Sequence, residues 1–358
     1  MIRLGDVATY INGYAFKPKD RGEVGLPIIR IQDLTGNAYN LGFYDGEYPK
    51  KIEINDGDVL ISWSASLGIY VWNLGKALLN QHIFKVVFDK VEIDKKYFVY
   101  AVRHKLAEMG MKTHGATMKH IVKKDFDAIQ IPYPSLKEQM KITNNLDKIS
   151  KVIEDRKTEI MLLDNLIKAR FVEIFGDPAT NPKGWEETTI GDECFYIKDG
   201  PHKSLPDIGK ENGGHPFISV RNIVNGFIDF STARYISDED YADAIKKCHP
   251  EKGDMLYSKG GTTGIAKLID IDEEFANWVH VAVLKFDKSK LNGVFFENML
   301  NGAYCYEQSQ RLTKGIANRD LVLSAMAQIK MYRPPMELQE QFADFVNQVD
   351  KSKVIDLT

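Results

Sequence analysis

Short apolar blocks alternate with polar turns over two long stretches of this 358-residue chain. Runs such as 26–31, 59–61 and 83–88 are rich in β-branched residues and bounded by Gly, Asn, Asp or Pro, which is typical of short strands joined by turns. Helices are predicted near 96–109 and 295–311. Each stretch therefore predicts a mixed α/β domain in which short strands dominate.

The segment between these stretches has a helical pattern. Residues 135–175 include neither Gly nor Pro, and Gly176 follows as a helix stop. Arg156 and Arg170 interrupt an apolar seam and are expected to set helix register or pair with acids. At about 1.5 Å per residue this helix reaches roughly 60 Å, so its seam needs a partner helix. The seam has 3-4 spacing and comprises Ile142, Leu146, Ile149, Ile153, Ile160, Leu163, Ile167 and Ile174.

A second apolar seam follows Pro334-Pro335 and supplies the expected partner. Phe342, Phe345 and Val349 repeat the 3-4 spacing, and the last two lie at a constant offset from Ile142 and Leu146. The chain must return along the first helix to seat the second, which predicts an antiparallel pair. The second helix reaches only about half the length of the first, which suggests a truncated element or one that another chain completes.

The two halves of the chain also repeat each other in order. The matched blocks begin at Leu4 and Ile190, Pro27 and Pro216, Gly57 and Gly253, His82 and His280, and Thr113 and Thr313. A repeat of this length predicts a duplicated whole domain rather than a solenoid. We therefore expect an α+β fold with a pseudo-twofold internal repeat. Its parts are a first domain at 1–134, a central coiled-coil helix at 135–176, a second domain at 177–335 and a C-terminal helix at 336–358.

Composition favours a folded, cytoplasmic protein. The chain is 44% hydrophobic and 27% charged, and its three cysteines fit neither a disulfide framework nor a metal site. No segment has the pattern of a signal peptide or a membrane span. The net charge of −3 argues at first against nucleic acid, because phosphate binding usually leaves a basic footprint.

The distribution of charge changes that picture. Residues 1–134 carry 18 Lys/Arg against 15 Asp/Glu, whereas residues 177–335 carry 19 against 23. Two strips are locally basic: 103–124 has six basic residues and one acid, and 311–330 has four and one. Such strips are compatible with a DNA footprint limited to particular sites.

The combination of motifs and layout resembles the specificity subunit of type I restriction-modification enzymes, over essentially the whole chain. The motifs are the 57–62 block with its repeat, Pro134-Ser-Leu-Lys-Glu-Gln139, the 169–178 block and Asn181-Pro-Lys-Gly-Trp185. The resemblance implies two target recognition domains that each read one half of a bipartite, asymmetric DNA sequence. It also implies that the helices fix the spacing and bind two DNA adenine methyltransferase subunits, and that restriction/translocase subunits join the complex.

The residues themselves agree with a non-catalytic subunit that needs no cofactor or metal. A methyltransferase would need a glycine-rich cofactor loop and an Asn/Asp-Pro-Pro-Tyr type motif, and the sequence has neither. The Gly260–Gly264 segment lacks the Lys-Ser/Thr of a phosphate-binding Walker loop. An enzyme is therefore the least favoured interpretation.

Candidate DNA-binding residues lie in three pairs of matched loops and on two strand ends. Basic and hydroxyl side chains suit phosphates and base edges, and small residues let the backbone approach closely. In the first domain they are Lys17, Lys19, Arg30, Ser62, Ser64, Ser66, Thr113, His114, Thr117 and Lys119. In the second they are Lys198, His202, Lys203, Arg221, Ser258, Lys259, Thr262, Thr263, Lys314, Asn318 and Arg319.

Each candidate has a structural alternative. The loops near residues 17 and 202 are also compatible with ordinary solvated loops, those after 62 and 258 with hairpin turns, and those after 113 and 313 with helix-to-strand connectors. Arg30 and Arg221 are equally compatible with ion pairs at the edge of a core. Two further functions stay open: a specificity subunit for a type IIB-like methyltransferase-nuclease, and a duplicated protein-binding scaffold that recognises no DNA.

Overall fold

The computed structural model describes residues 1–37, 40–111, 113, 120–316 and 318–354. The chain divides into two compact units, 1–155 and 156–358, and the long central helix contributes to both. None of the helices in this part of the chain combines the length and the apolar character that crossing a bilayer requires.

The first unit consists of short strands with a few helices. Its strands are β1 Ile2–Arg3, β2 Thr9–Asn12, β3 Leu26–Ile29, β4 Gly42–Tyr44, β5 Glu53–Ile54, β6 Val59–Ser62, β7 Gly68–Val71, β8 Ala77–Leu79, β9 Ile83–Val87 and β10 Gln130–Ile131. Its helices are α1 Leu4–Val7, α2 Ile31–Leu34, α3 Lys95–His104, α4 Leu106–Met111, α5 Lys123–Asp127 and the first half of α6 Leu136–Phe175.

Two four-stranded sheets organise the first unit. One is antiparallel in the order β2-β9-β6-β7, and the other has the order β4-β3-β8-β5 with a parallel β3–β8 pair. Strand β6 is buried on both faces: Val59 and Ile61 pack into one core and Leu60 into the other. This position between two cores explains why its sequence is continuously apolar instead of alternating.

The second unit contains the corresponding elements. Its strands are β11 Glu186–Thr189, β12 Cys194–Asp199, β13 His215–Ile218, β14 Arg234–Ile236, β15 Met255–Ser258, β16 Ala266–Leu268, β17 Ala276–Asn277, β18 Val281–Phe286 and β19 Lys330–Arg333. Its helices are the second half of α6, α7 Ile190–Glu193, α8 Asp238–Lys247, α9 Gly293–Asn301, α10 Ala303–Leu312, α11 Leu323–Met326 and α12 Met336–Val354.

The strand order confirms the duplication. The second unit has an antiparallel sheet β12-β18-β15-β16, a sheet β14-β13-β17 with a parallel β13–β17 pair, and a β11–β19 ribbon that matches β1–β10. One expectation needs correction: each single helix predicted near 96–109 and 295–311 is a pair, α3–α4 and α9–α10. The second pair is interrupted at Gly302, because glycine disfavours the helix interior.

The repeated Gly-Asp motif has a physical explanation in the turn that precedes β6 and β15. Gly57 and Gly253 have φ of +86° and +88°, a conformation that glycine adopts without steric cost. The carboxylates of Asp58 and Asp254 accept the backbone N–H three residues earlier, at 2.8 and 2.9 Å. Each carboxylate also pairs with a lysine Nζ of the neighbouring strand, at 2.9 and 2.6 Å.

Helix α12 packs antiparallel to the second half of α6. Phe342, near the start of α12, contacts Phe171 and Phe175 near the end of α6, with ring centroids 5.4 and 5.6 Å apart. At the other end, the Arg156 guanidinium donates to the backbone oxygens of Ser352 and Lys353, at 3.2 and 3.1 Å. Arg156 also pairs with Glu159 at 2.6 Å, so it joins the two helices as well as neutralising an acid.

Burial along the predicted seam follows this pairing. Ile167, Ile174, Phe342 and Val349 are buried, and Leu146, Leu163 and Phe345 are half-buried. The seam prediction missed several buried apolar residues, among them Phe171 and Phe175 of α6 and Val346 of α12. Four predicted seam residues are exposed: Ile142, Ile149, Ile153 and Ile160.

A buried glutamine anchors the start of each long helix. Gln139 accepts the backbone N–H of Asp94 at 2.9 Å, and Gln339 accepts that of Asn292 at 2.9 Å. The Gln339 amide also donates to the backbone oxygens of Pro334 and Lys290, at 2.8 and 3.1 Å. Asp94 and Asn292 are the N-caps of α3 and α9, so each glutamine connects the start of a long helix to the start of a shorter one.

We expect Gln339→Leu to lower the free energy of unfolding by about 2–4 kcal/mol, because it leaves buried backbone groups without partners. Thermal or denaturant unfolding of the purified chain measures this. Gln348→Leu on the exposed side of the same helix is the matched control and should change stability by less than about 0.5 kcal/mol. Equal stabilities of the two variants would contradict the anchoring role.

Candidate nucleic-acid interface

Three loops of the second unit meet beyond the end of β15. They follow β12, β15 and α10, at about 199–204, 259–264 and 313–320. Backbone N–H groups join the last two loops: Gly261 donates to Arg319 at 3.0 Å and Leu321 to Lys259 at 2.7 Å. The hydroxyls of Thr263 and Thr313 lie 3.0 Å apart. The fold thus gathers candidates that are far apart in sequence onto one surface.

The first unit repeats this arrangement. The N–H of Ile121 donates to the backbone oxygen of Trp63 at 3.0 Å, and Ser64 forms an isolated bridge with His120. The Trp63 indole N–H donates to the side chain of Asn12, at the end of β2, at 3.2 Å. The ends of the corresponding three loops therefore meet here too.

Many predicted DNA contacts are solvent-exposed, as phosphate contacts must be. Thr113 is half-buried, and three predicted contacts lie outside the described residues: His114, Thr117 and Lys119. Six others are buried: Arg30, Ser62, Ser64, Ser258, Lys259 and Thr263. The exposed ones are Lys17, Lys19, Ser66, Lys198, His202, Lys203, Arg221, Thr262, Lys314, Asn318 and Arg319.

The buried serine hydroxyls form hydrogen bonds within their own loops. The Ser62 hydroxyl donates to the backbone oxygen of Ser66 at 2.5 Å, and the Ser258 hydroxyl accepts the N–H of Ile265 at 2.8 Å. These are the bonds expected of hairpin turns, the alternative interpretation of the two loops. Their burial gives the serines a supporting position beneath the surface, while their DNA contacts stay a prediction.

The two arginines predicted at strand ends differ in exposure. Arg30 is buried and pairs with Asp33 at 3.0 Å, so it stabilises the turn after β3. Arg221 is exposed and donates to the backbone oxygen of Thr232 at 2.7 Å. Beside Arg221, the guanidinium of Arg234 lies over the ring of Trp278, 5.5 Å from its centroid. Arg221 is thus the arginine of the two whose position suits a phosphate.

One surface residue was missed by the sequence reasoning. Ile316 is fully exposed in the loop that also carries Lys314, Asn318 and Arg319. An exposed apolar side chain among basic and amide groups suits a thymine methyl group or a wedge between base pairs. The only sequence signal was an isoleucine after Gly315 in a polar loop, which does not distinguish an exposed side chain from a buried one.

Burial shifts the pKa of His82 and of the three cysteines toward the uncharged form. Burial and the neighbouring His120 lower the pKa of His82. Burial raises the pKa of Cys248 to about 11 and that of Cys194 and Cys305 to about 12. The three thiols are therefore protonated and are not activated as nucleophiles.

The family is decided by a match over nearly the whole chain. The model of the type I restriction modification DNA specificity domain matches residues 1–162 and again 182–358. The chain belongs to this family. The two matched regions correspond to the two copies of the repeat, so the family's domain occurs twice in this family member.

Individual relatives agree with this assignment. The chain is 23% identical to the EcoBI specificity subunit of Escherichia coli, over 97% of this chain and 78% of that relative. It is also 23% identical to the MjaVIII specificity subunit of Methanocaldococcus jannaschii, over 98% and 85%. Both relatives are named as subunits of type I restriction enzymes, and the chain functions as a DNA-target specificity subunit of this class.

A solved structure supports the fold. The S subunit of a type I restriction-modification system from M. genitalium aligns with a TM-score of 0.57 and 16% identity, over 98% of this chain and 89% of that one. A chain from a structure of type I complex assembly aligns with a TM-score of 0.51 and 15% identity, over 99% and 90%. At these identities the likeness concerns the fold alone.

Proposed function

We propose that the two domains of this specificity subunit read two different halves of one split DNA sequence. The observation that carries the proposal is the meeting of three loops beyond the end of β15 in the second unit, with exposed Lys, Arg, hydroxyl and amide groups, together with the meeting of the ends of the corresponding loops in the first unit. Corresponding loops differ in chemistry: Trp63 in the first unit takes the position of Lys259 in the second. Different side chains at matching positions favour unrelated half-sites over a palindrome.

The contacts we assign to DNA are the exposed members of the predicted set. Lysine and arginine side chains contact phosphates or guanine edges, and Asn318 is suited to adenine. The buried serines, Lys259 and Thr263 support these loops from below, whereas Arg30 stabilises the turn after β3. Acidic residues outnumber basic ones in the second unit, which keeps its nonspecific affinity for DNA low. Binding therefore depends on the local contacts of the loops.

The helices are proposed to bind the other subunits. A type I system needs a methyltransferase, and we infer that DNA adenine methyltransferase subunits, two in number, dock on the helices, with restriction/translocase subunits joining through the complex. The exposed apolar side chains of α6, among them Ile149 and Ile153, provide a surface for such docking. The specificity subunit itself then contributes recognition and no catalytic step.

A salt titration of DNA binding tests the proposal. The chain is assembled with its methyltransferase and titrated with duplex DNA between 50 and 200 mM salt in a filter-binding assay. We expect affinity to fall steeply, by about 10³-fold or more, because phosphate contacts release counterions. A duplex selected from a random library should retain higher affinity than a scrambled one at every salt concentration. A scaffold that recognises no DNA would show neither the salt slope nor the preference.

A further inference from the structure

One backbone position in each unit joins the second loop to the end of the third and to the residue that precedes β9 or β18. Trp63 and Lys259 each follow the last residue of β6 or β15, and their N–H groups donate to the backbone oxygens of His82 and His280, at 3.1 and 2.8 Å. Their own carbonyl oxygens accept an N–H from the residue that follows the third loop, at 3.0 and 2.7 Å. The main chain is therefore bonded in the same way in both copies.

The end of the first loop is equivalent in the two copies as well. Asn12 and Asp199 are the last residues of β2 and β12, and each precedes a glycine. A Cβ on either glycine would lie 2.0 or 1.7 Å from the backbone oxygen of Asn80 or Asn277, so only glycine fits. The side chains of residues 12 and 199 thus start from matching places in the two copies.

In the second unit this junction is ionic. The Lys259 side chain is only 7% exposed, and its Nζ lies 2.9 Å from an Asp320 carboxylate oxygen and 3.5 Å from one of Asp199. Asp199 also accepts from Lys247 at 2.8 Å. A buried ammonium group is tolerated only when it is paired, so this lysine depends on the two carboxylates that flank it. Lys259 therefore connects one aspartate at the end of β12 to another in the third loop.

In the first unit the same junction is aromatic. The Trp63 indole donates to Asn12, and its ring centroid lies 4.9 Å from that of His82 and 6.4 Å from that of His120. His120 occupies the place of Asp320, since residue 120 bridges Ser64 as residue 320 bridges Gly260. An Asn-Trp-His set thus stands where the other copy has Asp-Lys-Asp.

We propose that Lys259 and Trp63 are positioning residues that set the three DNA-reading loops of their own domain in register, one by ion pairs and the other by hydrogen bonding and ring contacts. This inference rests on the proposed function of the loops. A direct phosphate contact by Lys259 would have to compete with two carboxylates that already hold its charge. Removing the lysine leaves the Asp320 carboxylate without its ammonium partner, while Asp199 keeps its pair with Lys247, so the ionic link between the first loop and the third is lost.

The experiment uses the complex of this chain with the methyltransferase and measures how well that complex discriminates between DNA sequences at each half-site. Discrimination is the ratio of affinities for a duplex selected by the wild-type complex and for duplexes with one half-site scrambled. We expect Lys259→Met to reduce discrimination at the second half-site about tenfold and to leave the first unchanged. Lys259→Arg, which keeps the charge, should restore it to within about threefold. Trp63→Phe, which removes the N–H donor, should affect the first half-site only.

A double-mutant cycle separates positioning from direct contact. In an Asp320→Asn background, Lys259→Met should reduce discrimination by about threefold or less, because part of the pair is already lost. A lysine that contacts DNA itself would cost the same factor in both backgrounds, and that result would overturn the proposal. If Lys259→Met does not fold, as judged by thermal unfolding, Asp320→Asn alone is decisive: its expected effect is about a fivefold loss at the second half-site, and no loss would refute the inference.

The two proposals fail differently. If the wild-type complex prefers no selected duplex, the proposed DNA reading is wrong. If the wild-type complex discriminates and the Lys259 and Asp320 variants discriminate equally well, only the positioning role is wrong.

Discussion

We expect Phe342→Ala to lower the free energy of unfolding of the chain by about 3–5 kcal/mol, which is the largest stability effect that we assign to a single side chain. Phe342 is fully buried and belongs to an aromatic cluster with Phe171, Phe175 and Phe295. Truncation leaves a cavity where the C-terminal helix meets the central helix and the second domain. Denaturant unfolding monitored by far-ultraviolet circular dichroism measures the change.

The matched control for this variant is Phe195→Ala. Phe195 has the same side chain but is largely exposed, so its loss should change stability by no more than about 0.5 kcal/mol. We also expect the Phe342 variant to expose its C-terminal segment to limited proteolysis, because α12 loses its main anchor. A Phe342 variant as stable as the Phe195 control would show that the helix pair is not held by this cluster.

Removing four exposed basic side chains should weaken DNA binding by about 100-fold or more at physiological salt. The residues are Lys198 near the end of β12, Lys203 in the loop that follows it, and Lys314 and Arg319 in the loop after α10. If each contacts one phosphate, the quadruple alanine variant makes the slope of log affinity against log salt less negative by about 3 to 4. Binding titrations of the assembled complex at several salt concentrations give both quantities.

Lysines at the opposite end of the same sheet provide the control. Lys288 and Lys290 follow β18, next to the Gly253 turn that precedes β15, whereas the candidate loops meet beyond the other end of β15. Alanine at these two positions removes positive charge without touching the loops. An equal loss of affinity in the control variant would mean that overall charge, and not the loop surface, controls DNA binding.

Much of the architecture could be predicted because the duplication shows as short repeated motifs, and each motif forms for a local physical reason. The Gly-Asp pair marks a turn that needs positive φ at Gly57 and Gly253 together with a carboxylate acceptor, so it recurs wherever the turn recurs. The 3-4 seam predicted the long helix and its antiparallel partner. The seam did not show where pairing ends, because exposed Ile149 and buried Ile167 have the same pattern in sequence.

The interior of the candidate interface could not be predicted from local sequence. Lys259 belongs to a basic loop by composition, yet its partners Asp199 and Asp320 lie about sixty residues away on either side. The Ser62 and Ser258 hydroxyls are recognisable as turn residues but not as buried ones, because the bond that each makes closes a particular hairpin. Pairing of this kind depends on the tertiary fold.

Adenine-methylation profiling tests the central claim most directly. Genomic DNA is compared between cells that carry the intact restriction-modification system and cells in which only this chain is deleted. We predict one split motif, with two unrelated half-sites at a constant spacing, that is methylated in the first strain and unmethylated in the second. Identical methylation in both strains, or a chain-dependent motif that is continuous and palindromic, would contradict the account.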